Sequence, residues 1–379
     1  MVSFRHSNPT EILFGQGQIS ALPQLLPDDA HVLVLYGGGS IKTNGVYDQV
    51  MAGLAGRDWV EFGGIEANPV YETIARAAKL ARASGSNFIL AVGGGSVIDA
   101  AKFLAAMVPI TAEDAWDRLH AGPPPRNVLP VGAVLTLPAT GSESNAVSVI
   151  SHAGRHLKLP FANPAARPRF AILDPSTMKS LSRRQLENGT VDAFTHVLEQ
   201  YLTYPVNAPV QLGYSETLLE VLLEWGPRLI AENSDEAREN VMWAANQALN
   251  GLIGAGVPQD WSTHMIGHAI TALNGTDHAR TLTMVMASVM RNGLEAKKAM
   301  LARYARRVWK FDIADDRQAA EAAIAATEDF FTRMGCPIRT GALDAEAVVA
   351  HIEQAGQFPL GESRATGAEA VRDILRRAA

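Results

Sequence analysis

The chain has 379 residues, longer than a single hydrophobic core usually grows, so two packed domains are expected. A net charge of −6, with 47% hydrophobic and 19% charged residues, carries no polyanion-binding footprint, which excludes nucleic acid and anionic membrane surfaces as expected partners. The single cysteine, Cys336, excludes an internal disulfide and any multi-thiolate metal cluster and fits a reducing, cytoplasmic compartment.

The opening residues Met1-Val2-Ser3-Phe4-Arg5-His6 lack the basic-then-apolar layout of a signal peptide. No run of apolar residues is long enough to span a bilayer. In chain order, 32–36, 88–92, 131–137 and 170–173 read as buried strands, and 71–84 carries alanine-rich helical periodicity. This alternation implies a mostly parallel sheet covered on both faces. From about Ser182 the strand signal disappears. Segments 188–203, 210–231, 236–252, 261–273, 281–299 and 316–334 read as helices separated by Gly, Pro or Asn breaks. The expected architecture is an α/β dinucleotide-binding domain over 1–181, followed by an all-helical domain over 182–379.

Two glycine turns suit a dinucleotide. Strand 32–36 runs into Gly37-Gly38-Gly39-Ser40 and then a helical stretch through Leu54, while strand 88–92 runs into Gly93-Gly94-Gly95-Ser96 and the helix from Val97 to Met107. Glycine lets backbone N–H groups approach a phosphate closely, and a helix start adds partial positive charge. Neither tract is the G-x-G-x-x-G fingerprint of the usual Rossmann signature. One such tract is most often only a tight turn, but two at the carboxyl ends of two strands point to a ligand. Folds that prefer NAD usually place an acid against the ribose 2′-hydroxyl. Here the first turn shows Ser40 and Lys42 with no acid nearby in sequence, a hydroxyl and an ammonium that favour the extra phosphate of NADP.

In the helical half, Asp192 and His196 stand at i, i+4, and so do His264 and His268; His278 follows in a polar break, Asn274-Gly275-Thr276-Asp277-His278. Four of the ten histidines therefore gather where a helical domain could converge. Taken singly, each is most often an ordinary hydrogen-bonded group. Together this N/O donor set suits Zn²⁺, Fe²⁺, Mn²⁺ or Ni²⁺ and leaves an ion room for a substrate oxygen. Spacing leaves open which two of His264, His268 and His278 complete the sphere.

At this point the sequence resembles the iron-containing (group III) alcohol dehydrogenases, above all their NADPH-dependent aldehyde reductase and butanol dehydrogenase branch. The likeness runs along essentially the whole chain. It includes Pro9-Thr10-Glu11-Ile12-Leu13-Phe14-Gly15, Gly93 through Lys102, Leu137 through Asn145, the Asp192 to Tyr201 segment, Gln247-Ala248-Leu249-Asn250-Gly251, and Pro258 to His278. The resemblance implies a dehydroquinate-synthase-like fold and a homodimer. It places one divalent ion on Asp192, His196, His264 and His278, with His268 a non-ligating histidine near nicotinamide and substrate. It further implies that Gly94, Gly95 and Ser96 form the pyrophosphate turn with Asp99 and Lys102 behind it. Asn68, Thr136, Thr140, Ser142, Asn145 and Lys158 match positions lining the cofactor cleft, and Gly38 stands where NAD-preferring members carry aspartate. Leu137-Pro138-Ala139 departs from the Thr-Ala-Gly run of many members.

The implied activity is hydride transfer between NADP(H) and an aldehyde or primary alcohol, with His268 as a candidate proton relay. A lyase or polyol dehydrogenase on the same scaffold would call for a dedicated set of cationic or hydroxyl-binding groups, which the sequence does not show. A metal-and-nucleotide sensor without catalysis would have been free to lose one ligand or one glycine turn, and it retains both.

Overall fold

The computed structural model describes residues 2–110 and 115–379. The chain divides into two compact units, Ser7–Leu181 and a second formed by Ser182–Ala379 together with the residues that precede Ser7. The expected 1–181 boundary therefore differs at its start. Residues 2–6 go with the helical unit, where the Val2 N–H donates to the Gly256 carbonyl at 3.0 Å.

The first unit is built on a six-stranded, wholly parallel sheet. Its strands are β1 (Glu11–Phe14), β2 (Val32–Tyr36), β3 (Trp59–Phe62), β4 (Phe88–Gly94), β5 (Val131–Leu137) and, after a hairpin of β6 (Val147–His152) and β7 (Leu157–Ala162), β8 (Phe170–Leu173). The spatial order is β1-β8-β5-β4-β2-β3. The central strands β2, β4 and β8 are apolar along nearly their whole length and buried, as strands covered on both faces require. On one face Ile19, Leu22, Val34, Val50, Leu90 and Ile172 share a continuous core. The chain steps outward to β3 after β2 and in the other direction to β5 after β4, so the sheet reverses its winding between β2 and β4. Ligands of open α/β sheets bind outside the carboxyl ends of the strands at such a point.

Among the described residues the second unit is built of helices and turns, with one isolated antiparallel bridge between Leu360 and Thr366 and no strand. Helix Arg183–Tyr201 opens with a full capping box, Ser182 and Gln185 satisfying each other's backbone N–H groups. Helices Pro209–Glu232, Asp235–Ala248, Ser262–Asn274, His278–Asn292, Leu294–Arg307 and Asp316–Arg333 follow. The expected single helix 281–299 is two helices broken at Gly293, and two further helices, Ala345–Gln354 and Ala368–Ala378, close the chain. Those last helices matter to the site. Val348, Ile352, Val371 and Leu375 bury Ile266 and Ile270, anchoring helix Ser262–Asn274 by one face and leaving its histidines on another. Gly267 lets that helix cross closely over His278–Asn292, since a Cβ there would meet Leu282 at 2.8 Å and Thr281 at 2.9 Å. No helix among the described residues is long and apolar enough to cross a membrane.

Candidate functional site

Both glycine turns lie at the carboxyl ends of β2 and β4, at the reversal of the sheet. The second opens helix Gly95–Met107 directly, with Gly94 as its N-cap and no side chain capping it, and the first turn of a helix has backbone N–H groups without intrahelical partners. The first does not open the long helix expected of it. Gly39, at φ 94°, leads only into one 3₁₀ turn, Ser40–Lys42, and the helix begins at Val46 after Gly45. The two turns pack on one side chain: a Cβ on Gly93 would meet Val97 at 2.6 Å, and one on Gly37 would lie 3.6 Å from it.

Around the second turn stand the other residues expected to line a nucleotide. Ser96 Oγ donates to the Ala67 carbonyl, and Lys158 Nζ donates to Asn68 Oδ1 at 2.9 Å. A Cβ on Gly95 would collide with Thr140, whose Cγ2 lies 3.0 Å away. Thr136 is buried near the end of β5. Asp99, Ser142 and Asn145 are brought to the same place but are engaged in the scaffold. Asp99 accepts from Ser142 Oγ and, at 2.9 Å, from the Val149 N–H, while buried Lys102 donates to Asn145 Oδ1 at 3.1 Å and to the Ser142 carbonyl at 3.0 Å. These groups brace the 138–147 segment against helix Gly95–Met107. Gly95→Ala, which crowds Thr140, is expected to weaken binding of a nucleotide at this turn by about tenfold and to cost about 1–3 kcal/mol of stability, read by nucleotide titration and urea unfolding.

Lys42 corrects the sequence reading in one respect, because the structure brings an acid to it. Its Nζ donates to Glu61 Oε1 at 2.7 Å and lies 4.9 and 4.8 Å from the ring centroids of Tyr36 and Tyr47. Glu61, the third residue of β3, also accepts from the Tyr47 hydroxyl at 2.7 Å. The hydrogen bond with Lys42 holds the Glu61 carboxyl below the usual carboxylate range and raises the lysine. Gly38 and Ser40 remain exposed beside this pair.

In the helical unit, Asp192, His196 and His264 converge with one donor atom of each within 4.8 Å of the others, and all three are buried. The imidazoles point at each other, Nε2 to Nε2, at 3.1 Å. His196 Nδ1 faces the Asp192 carbonyl at 2.8 Å, and His264 Nδ1 faces Glu199 Oε2. With both protons spent on those acceptors, each Nε2 carries a lone pair. Two lone pairs turned toward one another repel unless a cation lies between them, and ligands bound at about 2.1 Å stand ~3.0–3.4 Å apart. Asp192 Oδ1 adds a buried oxygen that accepts no hydrogen bond among the described residues. Burial pushes the Glu199 carboxyl up to about 8 and lowers the His196 imidazole, so the pocket disfavours unpaired charge. A buried carboxylate with two imidazoles, and no thiolate, fits a divalent metal ion.

His278 stands beside the trio and outside it, its Nε2 3.7 Å from Asp192 Oδ1. It opens its helix, and the preceding Asp277 accepts from Arg184 at 2.7 Å and Asn188 at 2.8 Å, so the helix that carries Asp192 also holds the backbone beside His278. His268 lies one turn beyond His264, its ring 4.9 Å from that of His278 and 6.0 Å from that of His264. Two neighbours of the centre were not singled out from sequence. Glu199 follows Asp192 and His196 at i+7 and i+3, a helical-face pattern that identifies it in retrospect. Trp261 packs edge-on against His264 at 5.2 Å and sits at φ 61°, a left-handed conformation that propensity gives no reason to expect of tryptophan.

Comparison with known proteins gives the family. Residues 9–175 match the family described as iron-containing alcohol dehydrogenase, and residues 187–378 match the C-terminal part of the same family. The chain is 47% identical to the NADPH-dependent aldehyde reductase YqhD of Escherichia coli, over 100% of this chain and 98% of that one. It is 38% identical to a probable NADH-dependent butanol dehydrogenase of Bacillus subtilis, over 91% and 90%. Among solved structures, the substrate- and cofactor-free E. coli aldehyde reductase superposes with a TM-score of 0.93 at 45% identity, over 100% of both chains. The NADH-dependent butanol dehydrogenase A of Thermotoga maritima gives 0.95 at 32% identity, over 100% of this chain and 99% of that one. A parallel-sheet α/β half followed by a helical half is the dehydroquinate-synthase-like arrangement. By fold, by full-length similarity and by a buried carboxylate–imidazole cluster, the chain belongs to the iron-containing alcohol dehydrogenase family.

Proposed function

We propose that this protein is a metal-dependent oxidoreductase that transfers hydride between NADP(H) and an aldehyde or primary alcohol, acting as an aldehyde reductase. The observation that carries the reading is the pair of facing Nε2 atoms of His196 and His264 beside Asp192 Oδ1. Asp192, His196, His264 and His278 would hold the ion, Fe²⁺ or Zn²⁺ before Mn²⁺ or Ni²⁺. When bound, that ion supplies Lewis-acid polarisation of a carbonyl.

The chain's own groups do the rest. Backbone N–H groups of Gly94, Gly95 and Ser96 bind the pyrophosphate, and Asn68, Thr136, Thr140 and Lys158 orient the nucleotide. Asp99, Ser142 and Asn145 hold that wall rigid. Gly37, Gly38, Gly39, Ser40 and Lys42 make room for the 2′-phosphate, in line with the NADPH-dependent relative. His268, buried beside His278, is proposed as the group that hands a proton to the product oxygen. A cytoplasmic homodimer acting on small aldehydes, without nucleic acid or membrane partners, completes the proposal; it rests on the single cysteine, the acidic charge balance and the family.

The test is NADPH oxidation followed spectrophotometrically with short aldehydes, using metal-loaded and chelator-stripped protein. Turnover that disappears on stripping and returns with Fe²⁺ or Zn²⁺ is expected. Undiminished aldehyde reduction by rigorously metal-free protein overturns the metal-dependent reading, and no turnover by the loaded protein with any aldehyde favours a non-catalytic binding role.

A further inference from the structure

The imidazole of His264 reaches the metal centre from a different helix than Asp192 and His196, and something must fix its orientation. His196 is fixed by a backbone carbonyl of its own helix. His264 meets the carboxylate of Glu199 instead.

Glu199 is held for this purpose from several sides. It stands on helix Arg183–Tyr201 on the face of Asp192 and His196, and it is buried, with 4% of its surface exposed. Its Oε1 accepts the Thr263 N–H at 2.6 Å. That N–H belongs to the first turn of helix Ser262–Asn274, where donors have no intrahelical partner and negative charge is favoured. One carboxylate thus grips His264 through its ring and through the backbone of the preceding residue. The neighbouring chain is tied to the same helix, since the Asp260 N–H donates to the Glu199 carbonyl at 2.9 Å.

We propose that Glu199 is a positioning residue of the metal centre: by accepting the Nδ1 proton of His264, it fixes the tautomer and ring orientation that aim the Nε2 lone pair at the ion. The inference rests on the reading of Asp192, His196 and His264 as ligands. A carboxyl oxygen that accepts the proton of one ring nitrogen also makes the far nitrogen a stronger donor. A simple packing role for Glu199 predicts no such dependence, because glutamine has nearly its shape.

Glu199→Gln separates the two. The amide offers one acceptor oxygen and one NH₂ where two N–H donors now converge. The Thr263 N–H cannot reverse its direction, so it keeps the oxygen. The NH₂ then faces His264 Nδ1, which drives the imidazole proton onto Nε2, the atom that must bind the ion. The measurement is the Zn²⁺ dissociation constant of metal-stripped full-length protein by chelator competition, together with the visible spectrum of the Co²⁺-substituted form. Expected is a ~10–100-fold weaker Zn²⁺ affinity for Glu199→Gln, with Co²⁺ bands altered by weakening of one nitrogen ligand. Glu199→Asp, which keeps two acceptor oxygens on a shorter arm, should fall between. A Glu199→Gln affinity within twofold of the parent overturns the proposal. If that variant does not fold, Glu199→Asp decides: weakened Zn²⁺ binding supports the role, and unchanged binding overturns it. Asp192→Asn in the same series keeps the two readings apart. Zn²⁺ lost in Asp192→Asn but kept in Glu199→Gln removes the positioning role and leaves the centre standing. A parent that binds no metal removes the centre itself.

Discussion

Asp192→Ala or His264→Ala is expected to lower kcat for aldehyde reduction by about 1000-fold or more, equivalent to about 4 kcal/mol of lost transition-state stabilisation, with NADPH affinity changed less than threefold. Each substitution removes one donor of a buried three-residue cluster. Asp192→Ala also removes the only carboxylate in it, leaving neutral imidazoles that hold a divalent ion weakly. The glycine turns belong to the other compact unit, so nucleotide binding serves as an internal control for folding. Metal content by emission spectroscopy, steady-state kinetics and nucleotide fluorescence measure the three quantities on one preparation. Full metal occupancy with normal kcat in Asp192→Ala sinks the ligand assignment.

The second large effect concerns the nucleotide. Gly38→Asp is expected to lower kcat/KM with NADPH by about 10–1000-fold while leaving NADH unchanged or improved, because a carboxylate near ~4 Å from the 2′-phosphate costs about 1–4 kcal/mol between the limits of bulk water and a protein surface. The structure allows the substitution. A Cβ on Gly38 meets nothing within 4 Å, and its φ lies outside the left-handed region, in contrast to Gly39 at +94°. A selectivity ratio that does not move refutes the placement of the 2′-phosphate at this turn. Lys42→Ala should have a smaller effect than Gly38→Asp, since Glu61 already shares the lysine's charge.

How much of this was legible in the sequence depended on burial. Strands β2, β4, β5 and β8 announce themselves because residues covered on both faces form short apolar runs bounded by turns. The edge strands β1 and β3 are four residues long and partly exposed, so Glu11 and Glu61 interrupt their pattern. Missing β3 meant missing the acid beside Lys42, a contact between strands that no local spacing encodes. Helix boundaries in the second half followed caps and periodicity, but Gly293 splits what reads as one amphipathic run. The i, i+4 pairs correctly place Asp192 with His196 and His264 with His268 on shared faces. Periodicity could not choose between His264 and His268, because that choice depends on how helix Ser262–Asn274 is rotated by Ile266 and Ile270 in its core.

The clamping of both imidazoles has a consequence for the identity of the ion. With Nδ1 of His196 and of His264 each committed to a fixed acceptor, the donors present nitrogen and oxygen in a set orientation and no sulfur. Such a set ranks divalent first-row metals by their general binding order and has little means of refusing a stronger competitor. On the proposed ligand set, the expected occupant follows the supply of metals during synthesis, and protein made in iron-replete, zinc-rich or nickel-supplemented medium is expected to carry different ions, read by metal analysis.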